Sequence, residues 1–143
     1  MITVELGLLG VKDGDIILDA GCGNGRHSWE AYKQNHSSIV AFDIDRECIE
    51  KNKCVLDLLT EQKESKGDYH LIMADVTKLP FKDGSFDKII CSEVLEHIPE
   101  DKSAVEELVR VLSNNGAIGI SVPHYFTESI CWKLSGDYYG FPG

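Results

Sequence analysis

Three glycines at alternate positions, Gly21, Gly23 and Gly25, follow the apolar run of residues 15–20 in the stretch ILDAGCGNG. Glycine reaches backbone conformations that other residues avoid, and it lets a ligand lie against the main chain with no Cβ in the way. Asp19 stands two residues before the first glycine, where its carboxylate attracts a cationic ligand and repels an anionic one. The stretch therefore predicts a ligand-binding turn after a strand, with a preference for positive charge.

Two other interpretations of this loop stay open. The glycines also suit a strand-to-helix turn that needs only positive φ angles. A nicotinamide or flavin dinucleotide site is the second alternative, but its fingerprint is G-x-G-x-x-G. Here the third glycine, Gly25, comes one position early, and His27 fits no glycine register. Since a pyrophosphate would also be repelled by Asp19, spacing and charge both weigh against a dinucleotide.

Two further aspartates follow predicted strands. Asp43, in IVAFDID, can accept hydrogen bonds from both hydroxyls of a ribose; NAD enzymes use the same device, so Asp43 alone does not separate the ligand classes. Its structural alternative is a cap on the next helix, a role that suits Asp45 better. Asp75, in MADVTKLPF, can accept from the amino group of adenine while the Val76 N–H donates to a ring nitrogen. A simple turn is the alternative for Asp75.

Glu93, Glu96 and His97 form the pattern E-x-x-E-H. At this spacing two carboxylates and an imidazole can share one face of a helical turn and hold a divalent ion. Glutamates near a helix N-terminus are also favourable without any metal, and we adopt that interpretation, with no metal site. His97 and His124 are the only candidates for a general base, and the catalytic residues stay unassigned.

The elements that must position these residues alternate along the chain. We predict strands over residues 15–20, 38–42, 69–74, 86–91 and 117–122, and helices over 26–34, 46–64 and 102–112. In the long helix, the inward face is predicted from Ile49, Val55, Leu58, Leu59 and Gln62. Gly67 is expected to cap that helix in a left-handed conformation, and Asn114-Asn115-Gly116 to stop the last one. The alternation predicts an α/β fold with a doubly wound, mostly parallel sheet, which binds ligands at the carboxyl ends of its strands.

Four stretches in register, over about residues 5–123, resemble the class I S-adenosylmethionine-dependent methyltransferases of ubiquinone and menaquinone biosynthesis: ILDAGCGNG, VAFDID, ADVTKLPFKDGSFDKIICSEVLEHI and ELVRVLSNNGAIGISVP. The resemblance implies a Rossmann-like core, S-adenosyl-L-methionine as cofactor and in-line methyl transfer to a small molecule. It assigns Cys91 to the neighbourhood of the methionine portion. The cofactor-binding set that it predicts is Asp19, Gly21, Cys22, Gly23, Asp43, Ile44, Asp75, Val76 and Cys91.

Composition bounds the partners and the location. The 143 residues carry a net charge of −10 with no basic cluster, which argues against a nucleic-acid partner. No run is long and apolar enough to span a membrane, and no signal-peptide pattern follows Met1. Five scattered cysteines without a C-x-x-C pair indicate neither a disulfide framework nor a zinc ribbon. We expect a cytoplasmic protein.

Two other functional classes stay open: a cofactor-binding but non-catalytic scaffold subunit, and another adenosyl- or dinucleotide-dependent enzyme on the same fold. We expect one domain over residues 1–143, incomplete at its C-terminus, because the tail after Val122 is too short for the last two strands of the family fold. The fifth strand would then be an exposed edge, open to self-association. The tail aromatics suit an acceptor pocket or core packing equally: Trp132, Tyr138, Tyr139 and Phe141.

Overall fold

The computed structural model describes residues 3–34 and 36–123, and these form a single parallel sheet flanked by helices. In chain order the elements are α1 (Leu6–Leu9), β1 (Ile16–Ala20), α2 (Arg26–Gln34), β2 (Ser38–Asp43), α3 (Arg46–Glu61), β3 (Asp68–Met73), β4 (Phe86–Ser92), a 3-10 turn (Leu95–His97), α4 (Asp101–Val111) and β5 (Leu112–Ser121). The strand order is β3-β2-β1-β4-β5, and every neighbouring pair is parallel. The predicted α/β fold is confirmed.

The central strand β1 is buried on both faces, in keeping with a sequence that is apolar except for Asp19. Successive strand residues point to opposite faces, so Ile17 and Leu18 belong to different hydrophobic clusters. Ile17 packs in the cluster that contains buried residues of α1, α2 and α3. Leu18 packs in the cluster that contains buried residues of α4. Helices therefore cover both faces of the sheet, as a doubly wound fold requires.

The direction of winding changes at β1. The chain passes from β1 outward to β2 and β3, and then crosses back to β4 on the other side of β1. The loops that leave β1 and β4 therefore run in opposite directions, which opens a crevice at the carboxyl ends of these strands. The residues after β1, β2, β3 and β4 are the ones that this crevice brings together.

The inward face of α3 differs from the predicted one. Its buried residues are Asn52, Leu56 and Leu59, whereas Leu58 is about half exposed. The 3.6-residue period was right, but the face was centred wrongly, because the buried stripe passes through Asn52, a polar residue that an apolar pattern leaves out. Asn52 is fully buried and hydrogen-bonded, and it supports the candidate site.

Gly67, the predicted cap of α3, has another role. Lys63, not Gly67, takes the left-handed conformation after α3, with φ of 56°, and the Glu64 N–H donates to the Leu59 carbonyl across it. Gly67 is required by close approach instead, because a Cβ there would lie 2.1 Å from the Ser37 carbonyl oxygen.

The predicted stop signal at residues 114–116 lies inside β5. α4 ends at Val111, and β5 follows at Leu112 with no intervening turn. Phe86 pairs with Leu112 but Lys88 pairs with Ala117, so β5 accommodates extra residues as an irregularity in the ladder. In the part of the chain that the structure describes, β5 pairs with β4 alone. The predicted self-association through this edge stays a prediction.

The loop between β3 and β4 is fastened to α4 by Arg110. Its guanidinium donates to the carbonyl oxygens of Leu79 and Phe81 at 3.1 and 2.7 Å and to Asp83 at 2.9 Å. Glu107 completes the arrangement by accepting from the Leu79 N–H at 2.7 Å and from Arg110. These contacts fix the segment that begins with the predicted ligand residues after β3.

None of the helices in residues 3–34 and 36–123 combines the length and apolarity that crossing a membrane requires.

Candidate functional site

A cavity of about 420 Å³ lies at the carboxyl ends of β1, β2, β3 and β4, where the direction of winding changes. Its volume is in the range of small-molecule sites. Eight of the nine predicted binding residues line it, and Cys91 does not. The wall is formed by Thr3, Asp19, Gly21, Cys22, Gly23, Asn24, Gly25, Arg26, His27, Phe42, Asp43, Ile44, Ala74, Asp75, Val76, Ser92, Glu93, Val94, His97 and Ile98.

The glycine loop forms the floor between β1 and α2. Gly21, Gly23 and Gly25 have φ angles of 65°, 52° and 90°, in the left-handed region. A Cβ at Gly21 would lie 2.5 Å from Val94 Cγ2, and one at Gly25 would lie 2.2 Å from Asn52 Oδ1. A Cβ at Gly23 would meet no heavy atom within 4 Å. Two glycines thus allow close packing, and the middle one leaves open space against the cavity.

Asp43 links this loop to the end of β2. Its Oδ2 accepts from the Gly23 N–H at 2.9 Å, and its Oδ1 accepts from the Asp45 N–H at 3.0 Å. Since a carboxylate oxygen has two acceptor positions, each oxygen retains one for a ligand. The cap of α3 is Asp45, which accepts from the Glu47 N–H at 2.9 Å. The prediction that Asp45 suits the capping role better than Asp43 is confirmed.

The residues after β2 and β3 offer an exposed apolar side chain and a donor–acceptor pair. Ile44 lines the cavity and is 71% exposed. Asp75 Oδ1 accepts from both the N–H and the hydroxyl of Thr77, at 2.9 and 2.8 Å, and these bonds hold the pKa of the Asp75 carboxyl below its usual range. Asp75 therefore does form the turn that was its structural alternative, while its other oxygen stays available. No described residue accepts from the Val76 N–H.

Asp19 is a buried acid at the end of β1. Only 2% of the residue is exposed, and the Ser28 hydroxyl donates to its Oδ2 at 2.5 Å. Burial raises its pKa from the ordinary 3.8 to about 6, and the nearby Asp43 carboxylate acts in the same direction. Asp19 is thus mostly ionised at neutral pH, at an electrostatic cost, because a charge in a poorly solvated place is disfavoured.

A chain of side chains behind Asp19 was not foreseen from the sequence. The Ser28 hydroxyl that donates to Asp19 accepts from Asn52 Nδ2 at 3.1 Å. Asn52 Oδ1 in turn accepts from the Trp29 indole N–H at 2.9 Å. These residues fix the direction of the Asp19 carboxylate from below the cavity. The available signal was a lone polar residue within the apolar stripe of α3.

The two predicted cysteines have different environments. Cys22 lines the cavity, and its N–H donates to the Phe42 carbonyl at 2.9 Å. Cys91 is fully buried in the cluster under α4 and does not line the cavity, so its predicted position beside a ligand stays a prediction. The strand continues past Cys91 to Ser92, and it is Ser92 and Glu93 that reach the cavity wall. Burial raises the pKa of each thiol to about 12, which leaves both protonated and unsuited to nucleophilic attack.

The E-x-x-E-H residues do not converge. Glu93 and His97 line the cavity, with the His97 side chain 77% exposed, whereas the Glu96 side chain is only 5% exposed. His97 Nε2 lies 3.9 Å from Glu96 Oε1. Within residues 3–34 and 36–123, no three histidine, cysteine or carboxylate side chains are grouped so that they can hold a metal ion. His124 and the tail aromatics lie outside the described residues.

Known proteins resemble both the sequence and the fold. A demethylmenaquinone methyltransferase of Paenarthrobacter aurescens is 33% identical over 111 residues, which make up 78% of this chain and 40% of that protein. A sterol 24-C-methyltransferase of Aspergillus fumigatus is 28% identical over 115 residues, 78% of this chain and 29% of that protein. This chain thus spans less than half the length of these curated relatives.

A solved S-adenosylmethionine-dependent methyltransferase of Methanosarcina mazei has the same fold, with a TM-score of 0.69 at 24% identity over 79% of this chain and 54% of that one. A family model described as "Methyltransferase domain" matches residues 11–134, which is most of the sequence. The chain belongs to this methyltransferase-domain family, and membership implies S-adenosylmethionine as the cofactor.

Proposed function

We propose that the chain is the cofactor-binding part of an enzyme that transfers a methyl group in line from S-adenosylmethionine to a small molecule. The observation that carries the proposal is an acidic, glycine-floored cavity at the switch point of the sheet. Four carboxylates line it, against one guanidinium: Asp19, Asp43, Asp75 and Glu93 against Arg26. Such a wall suits a cationic ligand and opposes a pyrophosphate, so it favours the sulfonium cofactor over a dinucleotide.

The end of the cavity beside β2 and β3 fits an adenosine. Asp43 retains one acceptor position on each oxygen, which matches the two hydroxyls of a ribose. Asp75 Oδ2 and the Val76 N–H supply an acceptor and a donor for the edge of a purine. Ile44 adds an exposed apolar surface for a ring. The open space at Gly23 allows the ligand to lie against the backbone.

The end of the cavity beside β1 and β4 fits the positively charged sulfonium portion of the cofactor. When bound, the cofactor supplies a methyl group on a positively charged sulfur, which is a good leaving group. The Asp19 and Glu93 carboxylates give this end a negative potential, and Asp19 is held in place by Ser28 and Asn52. The contribution of the chain is then alignment and exclusion of water rather than covalent chemistry.

An acceptor that must lose a proton needs a base at the cavity, and His97 is the candidate. Its exposed imidazole lines the cavity, and the buried Glu96 carboxylate lies 3.9 Å away, within reach to stabilise an imidazolium.

The names of the relatives, a demethylmenaquinone and a sterol methyltransferase, support a small molecule as acceptor class. A non-catalytic scaffold that keeps the cofactor is the alternative, and cofactor binding without turnover would favour it.

Calorimetry with wild-type protein tests the ligand class. S-adenosylhomocysteine is expected to bind, and NAD to give no heat at the same concentrations, because the wall is acidic and lacks the dinucleotide spacing. Binding of NAD, with no heat from S-adenosylhomocysteine or S-adenosylmethionine, would overturn the proposal.

The ribose contact is tested by Asp43→Ala. Loss of a charged acceptor for two hydroxyls is expected to weaken S-adenosylhomocysteine binding by at least about 1.5 kcal/mol in calorimetry. Asp43→Asn is the matched control: it keeps an oxygen for the Gly23 N–H but no charge, and should fall between wild type and Asp43→Ala. A variant with a normal melting temperature and an unchanged Kd would show that Asp43 does not hold the ribose.

Asp19→Asn is expected to stabilise the fold while weakening cofactor binding. Because the pKa of Asp19 is raised from 3.8 to about 6, the folded protein loses stability as pH rises through this interval, by at most roughly 3 kcal/mol. Asparagine avoids this cost, so the free energy of unfolding in urea should rise by about 1–3 kcal/mol at pH 7.5 and little at pH 4.

Asp68→Asn, an exposed substitution, is the control and should change neither quantity. If Asp19→Asn lowers stability at pH 7.5, or binds S-adenosylmethionine as tightly as wild type does, the assignment of Asp19 as the charged partner of the cofactor is wrong.

A further inference from the structure

His27 connects the start of the chain to the cavity. Its Nε2 accepts hydrogen bonds from the N–H groups of Thr3 and Val4, both at 3.2 Å. The residue is only 9% exposed. A ring nitrogen that accepts must carry no proton, so these two contacts exist only while the imidazole is neutral.

Thr3 and Val4 also contact the carboxyl-terminal parts of β4 and β5. The Thr3 hydroxyl is hydrogen-bonded to those of Ser92 and Ser121, which lie 2.9 Å from each other. Val4 is buried and packs on Gly119, where a Cβ would lie 2.5 Å from Val4 Cγ1. Residues 3–4 thus cross from α2 to β5 at one end of the cavity, which Thr3, His27 and Ser92 all line.

The surroundings of His27 oppose a proton. Burial lowers its pKa below the ordinary 6.5, and the positive charge of Arg26 acts in the same direction. The Glu93 carboxylate acts in the opposite direction, but more weakly. The neutral imidazole that the hydrogen bonds require is therefore also the form that the site favours.

We propose that His27 is a positioning residue whose neutral imidazole holds residues 3–4 across the end of the cavity, so that its protonation releases them and weakens cofactor binding. The inference rests on the proposed function, because the ligand is the cofactor of that same cavity. Released His27 has an ordinary pKa of about 6.5, and the held form a lower one. The equilibrium constant between the held and the released state is thus at its highest above about pH 6.5, and it falls by up to about tenfold per pH unit below it, until the lower pKa is reached.

Calorimetry with S-adenosylhomocysteine at pH 7.5 and 5.5 tests this on wild type and His27→Gln. The glutamine carbonyl can accept the two N–H groups but does not titrate in this range. On acidification wild type is expected to lose more affinity than His27→Gln, by up to about tenfold. Asp19 also titrates near this range, but it is present in both proteins, so its contribution cancels. His70→Gln, at an exposed histidine on β3, should behave as wild type does.

Nuclear magnetic resonance of the wild-type imidazoles gives a readout that needs no variant. Linkage is reciprocal, so saturating S-adenosylhomocysteine must lower the pKa of His27 further. The ring signals of the exposed His70 are the control and should not respond to the ligand. A protonated Nε2 in neutral His27, or a pKa that the ligand does not move, would overturn the inference.

The same calorimetry separates failure of the proposed function from failure of this inference. If wild type does not bind S-adenosylhomocysteine at pH 7.5, the proposed function and this inference both fall. If binding is normal at pH 7.5 and wild type and His27→Gln lose affinity equally at pH 5.5, the inference alone is overturned.

Discussion

The hydrogen bond from the Gly23 N–H to the Asp43 carboxylate, at 2.9 Å, joins the loop after β1 to the end of β2. It forms only if the loop turns through left-handed backbone, which brings Gly21 against Val94 and Gly25 against Asn52, too close for any Cβ. The loop, the end of β2 and the start of α3 therefore depend on one another. The cavity exists because this turn keeps the ends of β1 and β2 aligned while β4 leaves in the opposite direction.

The negative charge of Asp19 in the cavity lowers the stability of the fold. Asp19 is buried between the two hydrophobic layers of the sheet, and its ionised form is disfavoured by that burial. Its support by Ser28 and Asn52 reduces the cost but does not remove it. Such a strained electrostatic arrangement is common where a site must bind a charge of opposite sign, because a better-solvated carboxylate would exert a weaker field.

Local patterns predicted the fold and most of the residues that line the cavity, and packing determined the rest. The bounds of α2 matched the prediction, and the glycine loop, Asp43 and Val76 line the cavity as expected. Asn52 was missed, because its value lies in partners from α2 that no local pattern contains. Cys91 does not line the cavity, since the length of β4 decides which of its last residues reach it. The roles of Thr3 and His27 depend on contacts between residues 23 or more positions apart, for which the sequence carries no periodic signal.

The most direct test of whether the cavity is the cofactor site is a titration of isotope-labelled protein with S-adenosylhomocysteine. The measured quantity is the chemical shift of each backbone amide. Saturable shifts are expected at the amides of Gly23, Ile44 and Val76, which line the cavity after β1, β2 and β3. Amides on the exposed side of α4, such as that of Val109, should not move. Saturable binding that leaves those three amides unshifted, and shifts others away from the carboxyl ends of the strands, would contradict the assignment of the cavity as the cofactor site.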